Sequence, residues 1–276
     1  MRTRTLGRTG WQVSEIACGT YGSFDVSGAA GERLVQTLVR ANLDLGVNLF
    51  DTAPSYGESE RNLGLAIDAL GLGADENVFI ATKVRKEELA AAKLEIGQSF
   101  RLLGERIDLL QIHNMTGWRQ VLPYLCEMRD QGRIKAIGVT DYRTPYFDEI
   151  EAAMLTGQVD VIQVPYNIME REAESRLLPL ARDRNIGVLV MTPICPLFRR
   201  GDLLGRLRGV PLEQFRDYGV GDLGSLCLQY LLSKNPTLVL LPATSKPARV
   251  ASNGAVSGAP PLPPDLIDQL ERHVQG

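Results

Sequence analysis

The sequence VNLFDTAPSYGESE, residues 47–60, passes from an apolar strand to a polar loop within a few residues. The apolar part has the residue types that strands favour, yet it ends in Asp51, whose charge is costly to bury without a partner. The residues before it have the spacing of a helix that closes at Gly46: Leu34, Leu38, Ala41 and Leu45. The stretch therefore predicts one helix–strand unit of an α/β fold, with the partner of Asp51 supplied from elsewhere in the chain.

Apolar runs of strand length recur along the whole chain, with helical spacing between them. The runs are residues 15–20, 47–53, 78–84, 107–113, 134–140, 159–167, 186–193 and 237–244. They are continuous rather than alternating, as expected for parallel strands covered on both faces. Eight such units in 276 residues predict a single (β/α)8 TIM barrel, with residues 1–276 as one domain. The alternative, an open doubly wound sheet, usually has a G-x-G-x-x-G turn after its first strand, and none stands there.

The composition narrows the possible partners. Hydrophobic residues make up 44% and charged residues 23%, and the net charge of −3 is spread along the chain. We therefore expect neither nucleic acid nor a membrane as a partner. No apolar segment follows the basic N-terminus and no run approaches about 20 apolar residues, so we expect a cytoplasmic protein. The scattered cysteines, without a C-x-x-C pair and with only two histidines, predict free thiols and no metal site.

Ionisable side chains stand at the ends of successive predicted strands, where barrel enzymes carry their chemistry. Asp51 and Lys83 end the second and third strands, His113 ends the fourth, and Tyr56 lies in the loop after Asp51. We expect Asp51 to hold Lys83, and the ammonium to lower the pKa of the Tyr56 phenol. Tyr56 would then be a general acid towards a carbonyl oxygen that His113 orients. Each residue alone is more often a cap, a solvated charge or a core histidine, but together they favour a catalytic site.

The motifs that carry these residues resemble those of the aldo-keto reductase family, nearly from end to end. The similar stretches, in the order that the family has them, are residues 6–22, 50–64, 81–84, 108–113, 132–142, 163–167 and 241–253. The resemblance implies a (β/α)8 barrel with a nicotinamide cofactor across its mouth. It also implies a catalytic tetrad of Asp51, Tyr56, Lys83 and His113, with hydride passing from the nicotinamide to a carbonyl carbon.

The resemblance further implies which residues hold the cofactor, expected to be NADP(H). They are Gly19, Thr20, Tyr21, Asp51, Thr140, Asp141, Gln163, Met191, Thr192, Pro193, Ala243, Thr244, Ser245, Lys246, Arg249 and Asn253. Arg249 and Lys246 offer positive charge for a 2′-phosphate.

Four of these residues depart from the family's pattern. Where this chain has Thr140-Asp141, the family often has Ser-Asn; Asp141 can accept a hydrogen bond from the cofactor's carboxamide but cannot donate one, and its charge would favour the oxidised ring. Met191 stands where a stacking tyrosine is frequent, and Ala243 where a lysine is frequent.

Side chains of the mouth loops are expected to form the substrate pocket with two of the catalytic residues. These are Tyr21, Phe24, Tyr56, His113, Trp118, Tyr142 and Phe198. The leading hypothesis is an NADP-dependent reductase of a small carbonyl compound. Two alternatives stay open: a sugar or alcohol dehydrogenase working in the oxidative direction, and a nucleotide-binding regulatory subunit with little turnover. The sequence specifies neither the substrate nor the oligomeric state.

Overall fold

The computed structural model of the protein describes residues 1–73, 75–195 and 202–275. It begins with an antiparallel hairpin of β1 (Thr3–Thr5) and β2 (Gln12–Ser14). The following strands are all parallel to their neighbours: β3 (Cys18–Gly19), β4 (Leu49–Asp51), β5 (Phe79–Val84), β6 (Leu109–His113), β7 (Ala136–Thr140), β8 (Val161–Pro165), β9 (Gly187–Met191) and β10 (Leu238–Leu240). Each of them lies within one of the eight apolar runs, so these predictions are confirmed.

Helices connect the strands and cover the outside of the sheet. They are α1 (Gly28–Asp44), α2 (Ser59–Ala69), α3 (Leu89–Leu102), α4 (Trp118–Asp130), α5 (Phe147–Leu155), α6 (Leu177–Asp183), α7 (Leu203–Arg206), α8 (Leu223–Lys234), α9 (Pro247–Gly254) and α10 (Pro264–Gln275). The predicted stop of the first helix is confirmed, because Gly46 follows α1 with a φ of 83°, a conformation that glycine adopts without strain. Within the described ranges, no helix is both long and apolar enough to cross a bilayer.

The sheet closes on itself. Strands β3 to β10 are hydrogen-bonded in sequence order, and bridges Ile16–Leu240 and Gly19–Ala243 join the two ends. The amide of Ala17 donates to the carbonyl of Leu240 across this seam at 2.8 Å. The predicted (β/α)8 barrel is therefore confirmed.

Alternation along the strands divides the core into two apolar layers. One set of side chains packs between the sheet and the helices: Phe50, Ile80, Leu110, Ile137, Ile162 and Val190. The other set fills the barrel itself: Leu49, Ala81, Leu109, Val161, Leu189 and Val239. We call this second set, together with the hairpin residues Leu6 and Val13 that pack against it, the interior plug. The plug leaves the upper part of the barrel for polar side chains.

Candidate active site

A layer of polar side chains lies on top of the interior plug. Residues two apart on a strand point to the same side, so Leu49, Ala81, Leu109 and Val161 are followed inside the barrel by Asp51, Lys83, Gln111 and Gln163. We call these last four residues the polar tier. Every member of the polar tier is buried.

Asp51 is the centre of the polar tier. Its Oδ2 accepts from Nζ of Lys83 at 2.6 Å, and its Oδ1 accepts from the side-chain amides of Gln111 and Gln163, both at 2.9 Å. Lys83 also donates to the carbonyl of Thr52 at 2.8 Å. The partner that a buried carboxylate needs is thus present, as the sequence predicted.

The buried pair keeps Lys83 charged. Burial lowers the pKa of Lys83, but the charge of Asp51, the hydrogen bond to it and the proximity of Tyr56 together raise the pKa above its ordinary value. An ammonium therefore stands permanently beneath the cleft at neutral pH.

Tyr56 lies directly above that ammonium. Nζ of Lys83 is 4.8 Å from the centroid of the phenol ring. Burial of the phenol raises its pKa by more than Lys83 lowers it, and Asp51 adds to the increase. The prediction that the pKa of Tyr56 is lowered is therefore wrong: Lys83 acts in the expected direction, but burial outweighs it. The hydroxyl consequently carries its proton at neutral pH, as a proton donor must.

His113 completes the group at the end of β6. Its ring meets the Tyr56 ring edge-on, with centroids 5.9 Å apart, and its Nδ1 is 3.5 Å from Oγ of Ser55. Burial, followed by the charges of Lys83 and Arg85, lowers the pKa of His113 from 6.5 to about 3. The imidazole is therefore neutral at physiological pH and has one N–H to donate.

A cleft of ≈ 840 Å³ opens above Tyr56 and His113, within the size range of ligand sites. Several residues predicted to bind the cofactor line it: Gly19, Thr20, Tyr21, Asp51, Gln163, Met191, Thr192, Pro193, Ala243, Thr244, Arg249 and Asn253. The predicted substrate residues on its wall are Tyr21, Tyr56, His113 and Tyr142. One cleft thus brings together most of the residues that the sequence singled out.

Hydroxyl groups on the cleft wall are available to a ligand. The buried hydroxyls of Thr20 and Thr192 have no hydrogen-bond partner among the described residues. Thr192 follows β9 with a φ of 54°, a left-handed conformation that is unusual for a β-branched residue and is found mostly where function maintains it. Buried polar atoms are normally satisfied, so these groups suit a polar molecule lying along the cleft.

Some predicted site residues lie elsewhere. Phe24 is fully buried in the layer between barrel and helices, so it does not line the cleft. Trp118 begins α4, is buried in the same layer, and donates its indole N–H to Glu149 at 2.6 Å. Both aromatic rings turn inward because burying their large apolar area is favourable. Phe198 lies outside the described residues.

Asp141 was expected to accept a hydrogen bond from the cofactor's carboxamide, but its partner is a side chain of the protein. Its carboxylate is fully buried and accepts from Nε and Nη2 of Arg143 at 2.9 and 2.8 Å, and from the Arg143 amide at 2.8 Å. Its charge is therefore compensated within the chain, and the idea that it favours an oxidised ring is not supported. Thr140, which is fully buried, and the exposed Ser245 and Lys246 also lie outside the set of residues that line the cleft.

Two further candidate residues were not predicted from the sequence, although the alternation of side chains along a strand indicates them. Gln111 precedes His113 by two residues and Arg85 follows Lys83 by two, so both share the inward-facing side. Gly138 makes room for Gln111: a Cβ at Gly138 would lie 2.6 Å from its Cγ. Ser55 and Asn114, the neighbours of Tyr56 and His113, also line the cleft. Across the described ranges, no three side chains are grouped as metal ligands.

Known proteins resemble this chain in sequence and in fold. The sequence model of the Aldo/keto reductase family matches residues 15–203. The chain is 32% identical to the aldo-keto reductase YhdN of Bacillus subtilis (strain 168) over 224 residues, which cover 75% of this chain and 65% of the relative. It is 30% identical to the NADH-specific methylglyoxal reductase of Escherichia coli (strain K12) over 227 residues, which cover 70% of this chain and 68% of that enzyme. The match thus spans about two thirds of each relative's length.

The fold is also that of a solved aldo/keto reductase from Klebsiella pneumoniae, crystallised with NADP and acetate. The two structures superpose with a TM-score of 0.81 at 21% sequence identity, and the match covers 99% of this chain and 95% of the other. With the family match over most of the sequence, it follows that the chain belongs to the aldo/keto reductase family.

Proposed function

We propose that the protein is an NADP-dependent oxidoreductase that reduces an aldehyde or ketone to an alcohol. The observation that carries the proposal is the phenol of Tyr56, which lies above a buried Lys83–Asp51 pair at the floor of a ligand-sized cleft. A phenol that keeps its proton at neutral pH is suited to general acid catalysis.

The roles of the chain's residues follow from their positions. The cleft residues would hold a nicotinamide cofactor, whose chemistry when bound would be donation of a hydride to the carbonyl carbon. Tyr56 gives its hydroxyl proton to the carbonyl oxygen, and the ammonium of Lys83 stabilises the phenolate that forms. The neutral imidazole of His113 donates its N–H to the same oxygen and orients the substrate. One C–H bond and one O–H bond are formed, and the phenol regains its proton from solvent.

The cofactor assignment rests on the cleft. Thr20 and Thr192 offer hydroxyls along its wall, which Thr244 and Arg249 also line. Arg249 is an exposed residue of α9, and its guanidinium can meet a phosphate with charge-assisted hydrogen bonds. We therefore propose that NADPH binds more tightly than NADH. The name of the Escherichia coli relative states a preference for NADH, so both cofactors belong in the test.

The reductive direction is favoured over the oxidative one. Asp141 was the reason to consider oxidation, and Arg143 compensates its charge. A regulatory subunit without turnover is a weaker candidate because Asp51, Tyr56 and Lys83 are assembled as catalysis requires. We propose a small carbonyl compound as the substrate, residues 1–276 as a single domain, and a cytoplasmic location, which suits free cysteine thiols.

The test is reduction of a panel of aldehydes with NADPH and with NADH, by the parent protein and by Tyr56→Phe. We expect turnover by the parent protein, with a lower KM for NADPH than for NADH. Loss of the phenolic proton should reduce kcat/KM by about 10²–10⁴-fold, while NADPH binding, measured by fluorescence, is kept. Tyr124→Phe, on α4 and away from the cleft, is the matched control. Full activity of Tyr56→Phe, or no turnover of any aldehyde by the parent, would contradict the proposal.

A further inference from the structure

Arg85 is an exposed cation at the catalytic end of the cleft. It follows Val84, the last residue of β5, and stands two residues after Lys83, so it continues the inward-facing side of the strand at the mouth. It lines the cleft together with Tyr56 and His113. Its charge reaches His113, whose pKa it helps to lower.

The guanidinium of Arg85 has no counter-ion among the described residues. Its backbone amide donates to Glu95 at 2.7 Å, but that carboxylate pairs with Lys86 at 3.3 Å. No ion pair or side-chain hydrogen bond of Arg85 occurs within the part of the chain that the structure describes. A planar group with five donors is therefore left facing the cleft.

The other charged groups of the cleft wall are compensated or lie farther along it. Asp51 is paired with Lys83. Asp222 caps α8, where it accepts from the amide of Ser225 at 2.7 Å, and it also accepts from the hydroxyl of Ser252 at 2.6 Å. Arg249 belongs to α9, on the wall assigned to the cofactor, and His113 is neutral. Near Tyr56, the described part of the wall thus carries one uncompensated positive charge.

We propose that the substrate is a carbonyl compound that also bears a carboxylate, and that Arg85 binds this carboxylate while Tyr56 and His113 address the carbonyl oxygen. The assignment deepens the proposed function and rests on it. One guanidinium balances one singly charged carboxylate, and its fork matches the two carboxylate oxygens.

The test compares acids with their neutral esters at saturating NADPH: 3- and 4-carboxybenzaldehyde against the corresponding methyl esters. In the parent protein, we expect the KM of at least one acid to be about tenfold lower than that of its ester, as one charge-assisted hydrogen bond provides. Arg85→Met should remove the difference by raising the KM of the acid, with the KM of the ester unchanged. Arg85→Lys should restore part of it. Arg101→Met, an exposed arginine of α3 outside the cleft, is the matched control.

The outcomes separate this inference from the proposed function. If the parent reduces esters as readily as acids, or if Arg85→Met keeps the preference for the acid, the role of Arg85 is wrong although the reductase is real. If no aldehyde is reduced, the proposed function fails. Calorimetric binding of 4-carbamoylbenzoate, which cannot be reduced, then still decides the matter: weaker binding to Arg85→Met than to the parent supports the anion site, and equal binding overturns it.

Discussion

The charge state of His113 connects the candidate active site to the stability of the fold. In the folded protein the imidazole has a pKa of about 3, whereas the exposed imidazole of an unfolded chain titrates near 6.5. Between these two values the unfolded chain binds a proton at this residue and the folded one does not. Stability is therefore lost as the pH falls from about 6.5 towards 3.

We expect His113→Asn to lessen this loss. The variant removes the group that takes up the proton on unfolding, so its free energy of unfolding should fall less between pH 7 and pH 4 than that of the parent. At about 1.4 kcal/mol per pKa unit, the difference should be at least about 1 kcal/mol. The measurement is urea denaturation at both pH values. His273→Gln is the control, because His273 is exposed on α10 and is the only other histidine of the chain. Parallel losses in the parent and in His113→Asn would show that His113 is not buried in a neutral state.

For single residues, the sequence predicted which side chains meet, but it did not predict the direction of the pKa shift of Tyr56. The approach of Asp51, Tyr56, Lys83 and His113 followed from strand ends, and the structure brings them together. The direction of the pKa shift of Tyr56 did not follow, because it depends on how deeply the phenol is buried. Gln111 was missed although its spacing of two residues from His113 places it on the same side of β6.

Helices α2 and α3 lie in direct contact at Gly64. A Cβ at this position would lie 1.8 Å from the carbonyl oxygen of Leu102, so the backbones are in direct contact. Helix α2 starts three residues after Tyr56, and its position therefore sets that of the loop that carries Tyr56. Gly97, in the interior of α3, has only the far end of the Arg101 side chain nearby, at 3.8 Å.

The two glycines should respond to alanine with opposite signs. Gly64→Ala forces α2 away from α3 and should destabilise the protein by about 1–3 kcal/mol. Gly97→Ala removes backbone freedom from the unfolded chain without a clash and should stabilise it by about 0.5–1 kcal/mol. Thermal or urea denaturation of both variants tests this. Stabilisation by Gly64→Ala would mean that the helices are not in contact there.

The elements themselves were largely readable from the sequence. Eight apolar runs became eight parallel strands because continuous apolar patterning is typical of strands covered on both sides. The burial of the loop aromatic residues could not be predicted from the sequence. Phe24 and Trp118 are buried in the core, whereas Tyr21 is 52% exposed, and hydropathy alone does not distinguish these outcomes.

For the molecule as a whole, the hairpin closes the end of the barrel opposite the site. Leu6 is buried in the interior plug, and Gly187 has no side chain at the point where Leu6 enters: a Cβ there would lie 2.7 Å from it. Trp11 stacks on Phe79 with ring centroids 4.7 Å apart. The hairpin is thus part of the core.

Leu6→Ala should leave a cavity in the plug and cost about 2–5 kcal/mol of stability, with kcat nearly unchanged because the polar tier lies above it. Leu94→Ala is the matched control: Leu94 is 77% exposed on α3, and the change should stay within about 0.5 kcal/mol. The measurements are the urea midpoint of unfolding and kcat for the parent protein and for both variants. Equal stability of Leu6→Ala and Leu94→Ala would show that the hairpin contributes little to the core.

The interior plug determines the route by which protons of the buried side chains exchange with solvent. In the part of the chain that the structure describes, the interior plug closes one end of the barrel. The side chain of Lys83 lies directly above the plug and has no exposure of its own. Protons on Lys83 and Tyr56 therefore exchange with water through the same opening that ligands use. In the proposed function, a molecule bound over Tyr56 would close that opening, so Tyr56 would regain a proton from solvent only after the product has left. Deuterium from heavy water would then reach the Tyr56 hydroxyl between turnovers rather than during them.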